Sequence, residues 1–86
     1  MSRWRKIFDQ VAGGTHDSSL AFDDICGLLE RLGFERRTKG SHNVFRRAGV
    51  LERVNLQRDR KHAKPYQVKQ VRDIIVRYRL GDEIDG

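Results

Sequence analysis

The residue types best suited to chemistry gather around one histidine. Gly40, Ser41 and His42 are consecutive, and Arg36, Arg37, Lys39, Arg46 and Arg47 lie within six residues of the imidazole. An imidazole exchanges a proton near neutral pH, and basic side chains stabilise charge that grows on phosphoryl oxygens. Together they suit abstraction of a proton from a ribose 2′-hydroxyl as its oxygen attacks the adjacent phosphate. The products are a 2′,3′-cyclic phosphate and a 5′-hydroxyl. DNA lacks the attacking group, and no metal is needed to generate the nucleophile. Phosphate binding without chemistry, simple stabilisation of a turn, and an imidazole with no part in function are the alternative readings of the same residues.

His62 is the other candidate proton carrier. Arg58, Arg60, Lys61 and Lys64 surround it, so a phosphate-binding loop is an equally good description. It protonates a departing 5′-oxygen only if folding carries it close to His42. Lys61, Lys64, Lys69 and Arg72 form a second group of cations, readable as an RNA-phosphate contact or as a solvated basic surface. Tyr66 reads as an anchor for the final helix or as a base-stacking ring, and Asn43, Asn55 and Gln57 offer hydrogen bonds to bases, to a partner or to water.

Other chemistries find no support. His16, His42, His62 and Cys26 have no zinc spacing, and the acidic residues form no two-metal set, so neither metal nor cofactor is expected. The glycines do not form a nucleotide-binding loop. Cys26 lies on an apolar helix side and reads as a buried thiol.

The elements that must position these groups follow from periodicity. Trp4, Ile7, Phe8 and Val11 line one side of a short helix that stops at Gly13 and Gly14. Phe22, Ile25, Leu29 and Leu32 define a second helix ending before Gly33, with Asp23 and Asp24 at its positive end and Arg31 at its negative end. Gly27 costs helix propensity there, which points to something packing closely against it. Strands are expected near 34–39, 42–47 and 51–57, joined by tight turns and therefore antiparallel. Val54 and Leu56 face one side of the third strand. Val44 and Phe45 are adjacent, so they face opposite sides. Arg58 to Pro65 reads as a polar connection. Val68, Val71, Ile75 and Tyr78 mark a final helix stopped by Gly81. The expected fold is α+β, with helices on one face of a small antiparallel sheet and the other face open.

Composition sets the bounds. Eighty-six residues suffice for one domain with a small core. The single cysteine excludes an internal disulfide framework, and no apolar stretch is long enough to span a bilayer, so no membrane association and a cytoplasmic location are expected. Of the formal charge of +6, residues 31–79 carry 15 lysines and arginines against 4 acidic residues, so the remainder of the chain is net acidic. A chain polarised in this way attracts a polyanion to one surface, whether RNA, DNA or an acidic protein.

Four segments in order, “LLERLGF” at the second helix exit, “KGSHNVF”, “VNLQ” and “KPYQVKQVRDII”, resemble the HicA family of toxins from bacterial and archaeal toxin–antitoxin systems. The resemblance spans Phe22 to Leu80, leaving residues 1–20 as an N-terminal extension within a single domain of residues 1–86. It implies a fold similar to the double-stranded RNA-binding domain, α-β-β-β-α, here with an additional short N-terminal helix. It implies a metal-independent mRNA interferase using His42, with Gly40 shaping the turn and Ser41 orienting the histidine. It also implies a HicB antitoxin that covers the active surface, with room for a higher-order toxin–antitoxin complex. A non-catalytic RNA-binding module of the same fold is the alternative function, and a module for binding acidic protein is a third.

Overall fold

Helix α1, Arg3–Gly13, opens the computed structural model, which describes residues 3–84. Its apolar stripe buries Ile7, Phe8 and Val11 against α2, Phe22–Arg31, and α3, Pro65–Arg77. Between the last two helices lie β1, Glu35–Lys39, β2, His42–Arg46, β3, Val54–Asp59, and β4, His62–Ala63. They form one antiparallel sheet in the order β1-β2-β3-β4, and a short 3₁₀ turn at Leu80–Glu83 follows α3. The molecule is therefore α+β, with three helices and four strands among the described residues.

Alternation decides which side of the sheet meets the helices. Phe45, Val54 and Leu56 are completely buried, whereas His42, Arg46 and Asn55 are exposed and Val44 is half-buried. The helix side of the sheet joins Ile25, Leu28, Leu29, Val68, Val71, Ile74 and Ile75 in one core, to which α1 and Leu20 also belong. The N-terminal segment is thus part of the packed core. Strand β1 is polar on both sides and exposed throughout, because it forms the sheet edge.

Two boundaries differ from those read in the sequence. The third strand begins at Val54, because the backbone just before it is engaged elsewhere: the Tyr78 hydroxyl accepts from the Leu51 N–H at 3.2 Å, and Gln70 donates to the Arg53 carbonyl at 3.3 Å. The expected polar connection after residue 57 contains β4 instead. Its two residues pair with Arg58 and Asp59 on one side, and His62 bridges Ala21 on the other, where Phe22 N–H donates to the Lys61 carbonyl and Ala63 N–H to the Leu20 carbonyl. Ala63 supplies the only apolar side chain of this strand, too short a run to register as periodicity.

The final helix also stops earlier than Gly81. Tyr78 caps it, and Arg79 takes the left-handed conformation at φ 53°. Gly81 has a packing role: a Cβ there would fall 3.0 Å from the Phe8 ring. No helix among the described residues is long and apolar enough to cross a membrane.

Candidate nucleic-acid interface

The β1–β2 hairpin closes on the pair Lys39↔His42, leaving Gly40 and Ser41 as a two-residue turn. Gly40 takes φ 61° and Ser41 a negative φ, the sign pattern of a II′ turn, whose first position strongly favours glycine. The GSH triplet is thus a structural device first: it turns the chain and delivers His42 to the start of β2.

Register then brings a second hairpin to the same end of the sheet. His42 pairs with Gln57 near the end of β3, so the β3–β4 turn, Arg60 and Lys61, lies at the end occupied by Gly40 and Ser41. Lys39, Ser41, His42, Arg60, Lys61 and His62 are all exposed there. Gln57 links the two hairpins by donating to the Ser41 hydroxyl at 3.4 Å, and its backbone N–H donates to the Gln67 side chain in α3 at 3.2 Å. Neither the His42 nor the His62 ring is held by a hydrogen bond or ion pair among the described residues.

The cations expected around His42 divide by the pleat. Arg37, Lys39 and Arg46 share its open face, opposite Val44, His42 and Glu35 respectively, and none forms an ion pair among the described residues. Arg36 turns to the other side. Its guanidinium donates twice to Asn43 Oδ1, at 3.1 and 3.0 Å, lies 3.6 Å from Glu30 and covers the Phe45 ring. Arg47, just past β2, donates to the Leu32 carbonyl and to both Glu83 oxygens. Neither Arg36 nor Arg47 is gathered with His42.

The second group of cations is dispersed as well. Lys61 stands in the turn near His42, Lys64 precedes α3, and Lys69 lies on the solvent side of that helix, away from the sheet. Arg72 is engaged in the fold: it donates to Asp17 at 2.8 Å and to the Val11 carbonyl, and the hydrogen bond to Asp17 holds its pKa above the ordinary arginine value. Asn43 is buried, so it belongs to the fold's interior. Tyr66 is 66% exposed, so its ring remains available for contact and does not anchor α3 in the core.

Gln57, read as a hydrogen-bonding side chain, and Arg60, read with the His62 loop, both come to the His42 end of the sheet. Gln57 braces Ser41, and Arg60 is a cation at the His42 end of the sheet. The signal lay in connectivity: in an antiparallel meander the β1–β2 and β3–β4 turns fall at the same end of the sheet.

Two concavities share residues of the His42 face but do not include His42 in their lining. One of about 590 Å³ is lined by Glu35, Arg46, Arg47, Leu51 and Arg53, and another of about 440 Å³ wraps the β1 edge at Glu30, Arg36 and Arg37. His42 stands on an open surface, a shape that suits an extended polymer better than a small molecule. Among the described residues, no three His, Cys, Asp or Glu side chains gather as a metal site. No family model, curated protein or solved structure matches the chain.

Proposed function

We propose that this chain is a metal-independent endoribonuclease acting on single-stranded mRNA, a toxin resembling the HicA family that is neutralised by a HicB-type antitoxin in the cytoplasm. The double-stranded RNA-binding-like reading of its fold belongs to this proposal. One observation carries it: the imidazole of His42 stands on an open sheet face beside Lys39, with Arg37 further along that face, and none of these cations is neutralised by a carboxylate among the described residues. RNA docked on that face presents a 2′-hydroxyl to the imidazole while the cations meet the phosphate. His42 accepts the proton as O2′ attacks phosphorus, the P–O5′ bond breaks, and the departing oxygen takes up a proton, leaving the cyclic phosphate and a 5′-hydroxyl. A complementary antitoxin covering the same face blocks access.

A product-resolved cleavage assay in chelator tests this reading. Wild type is expected to yield 2′,3′-cyclic phosphate and 5′-hydroxyl ends. His42→Ala is expected to keep its fold and much of its RNA affinity while losing cleavage. Equal cutting by both proteins removes His42 from the mechanism. The openness of the site favours a second reading, a non-catalytic RNA-binding module, which predicts binding by both proteins and cutting by neither.

A further inference from the structure

We infer that His62 is the general acid of the same site, donating the proton that the departing 5′-oxygen requires. This rests on the endoribonuclease reading and extends it to a residue on a different hairpin.

The geometry follows from register. Leu56 is buried on the helix side, and Arg58 also faces the helices, with its guanidinium over the Phe22 ring and 2.7 Å from Asp23. Alternation therefore turns Gln57 and Asp59 to the open side. His42 pairs with Gln57 and His62 with Asp59, while Ala63, next along β4, is buried. The two histidines thus flank β3 on one face, both exposed. Two strand spacings and two residue steps separate them, about 12 Å between Cα atoms from standard sheet dimensions. A span of this size matches one phosphodiester held between two imidazoles over Gln57 and Asp59, with hydrogen bonds of about 2.7–3.2 Å to its 2′- and 5′-oxygens.

The chemistry requires such a second group. As the O2′–P bond forms and the P–O5′ bond breaks, the electron pair of the latter leaves with O5′. An alkoxide is a poor leaving group, so a proton must reach it. Among side chains, an imidazole is the best matched to give up a proton near neutral pH. The third histidine, His16, lies in the loop between α1 and α2, bonded to Thr15 at 3.1 Å. His62 is the remaining imidazole. After one turnover His42 carries the proton from the 2′-hydroxyl and His62 has lost its own. Exchange with water restores both.

Two RNA oligonucleotides that differ only in whether the scissile 5′ atom is oxygen or sulfur separate this role from a structural one, because a thiolate leaves without protonation. Cleavage is measured in chelator for wild type, His42→Ala and His62→Ala, alongside thermal melting and RNA affinity. His62→Ala is expected to slow the oxygen substrate about 10²–10⁴-fold and to cleave the sulfur substrate within about tenfold of wild type. His42→Ala is expected to be slow on both. The inference is overturned if His62→Ala cleaves the oxygen substrate within about threefold of wild type. Equal loss on both substrates also overturns it, since that marks a binding or folding role. If wild type cuts neither substrate, the endoribonuclease reading fails, and the assignment of His62 fails with it.

Discussion

The six-membered ring of the Trp4 indole occupies the space that a side chain at position 27 would need. A Cβ on Gly27 would collide with Cη2 and fall 2.8 Å from Cζ3. Arg3, beside the same ring, reaches Asp24 at 2.6 Å, so α1 is seated on α2 by an aromatic contact and an exposed ion pair. Gly27→Ala is expected to lower unfolding free energy by about 1–3 kcal/mol, since either the indole or the helix must move. With Trp4→Ala already present, the same change is expected to be neutral or stabilising, by up to about 1 kcal/mol, because alanine is the better helix former. Urea denaturation of the four proteins in this cycle tests it, and strictly additive effects would refute the contact.

Asn43 gives a second stability test. Its side-chain oxygen accepts from Arg36 twice and from the Thr38 hydroxyl at 2.9 Å, all on the helix side of the β1–β2 ladder. Asn43→Ala strands these donors, and a decrease of about 1–3 kcal/mol is expected, nearer the lower figure because Arg36 is partly exposed and can be rehydrated. The double variant Asn43→Ala, Thr38→Val should be destabilised by less than the sum of the two single changes. A full sum would show that the shared oxygen couples nothing.

These two contacts also show what the sequence could and could not reveal. A mid-helix glycine announces that something packs closely, yet its partner, Trp4, lies far off in the chain and is identified only by folding. The helices and the first two strands were legible because Ile25, Leu29, Val68 and Val71 repeat at helical spacing and because Lys39–Ser41 marks a turn. Strand β4 was not, since two residues carry no period, and the start of β3 was displaced by hydrogen bonds from Tyr78 and Gln70 that periodicity does not encode. At the site, the turn that delivers His42 was legible, but proximity in sequence overstated its neighbourhood. The pleat sends Arg36 to the opposite side, and the chain leaves the strand before Arg47. The approach of the β3–β4 tip to His42 is a consequence of register, which residue types alone do not display.

Burial of Cys26 has a signature in pH. Desolvation is the main cause that pushes its thiol from 9.0 up to about 11 in the folded state. The folded chain holds this proton over a pH range in which the unfolded chain has released it, so stability attributable to the thiol is full below pH 9 and falls as pH rises toward 11. Relative to Cys26→Ala, wild type should become less stable across that window, and its reaction with a thiol reagent at about pH 8, below the ordinary thiol pKa, should await unfolding. Rapid labelling of the native protein would contradict both expectations.

Cations on the open sheet face and cations engaged in the fold should behave differently toward RNA. Arg37→Ala and Lys39→Ala remove cations that make no ion pair among the described residues, so RNA affinity should fall with little change in melting. Removing one phosphate-binding cation should reduce the steepness of the logarithmic salt dependence by about 0.7 on single-stranded RNA. Arg47→Ala should do the reverse, lowering stability by removing the bonds to Leu32 and Glu83 while leaving the salt dependence intact. Fluorescence anisotropy at several salt concentrations checks these expectations, and equal slopes for Arg37→Ala, Lys39→Ala and wild type would place the RNA elsewhere.

Arg60 should show stability and binding moving in opposite directions. It holds φ 57° at the β3–β4 turn, a conformation that costs an L-residue about 1–2 kcal/mol and that glycine adopts freely. Glycine also gains freedom in the unfolded chain, which offsets part of the relief, so Arg60→Gly should stabilise by about 0.5–1 kcal/mol. The guanidinium it removes stands at the end of the sheet that carries His42, so RNA affinity and its salt dependence should both decline. Arg60→Asn separates the two effects, because asparagine tolerates the left-handed region but brings no charge. If both variants melt higher and bind RNA as wild type does, Arg60 is a strained turn residue with no part in contact. If both melt lower, the turn is stabilised by its arginine, and the strain assigned to it is absent.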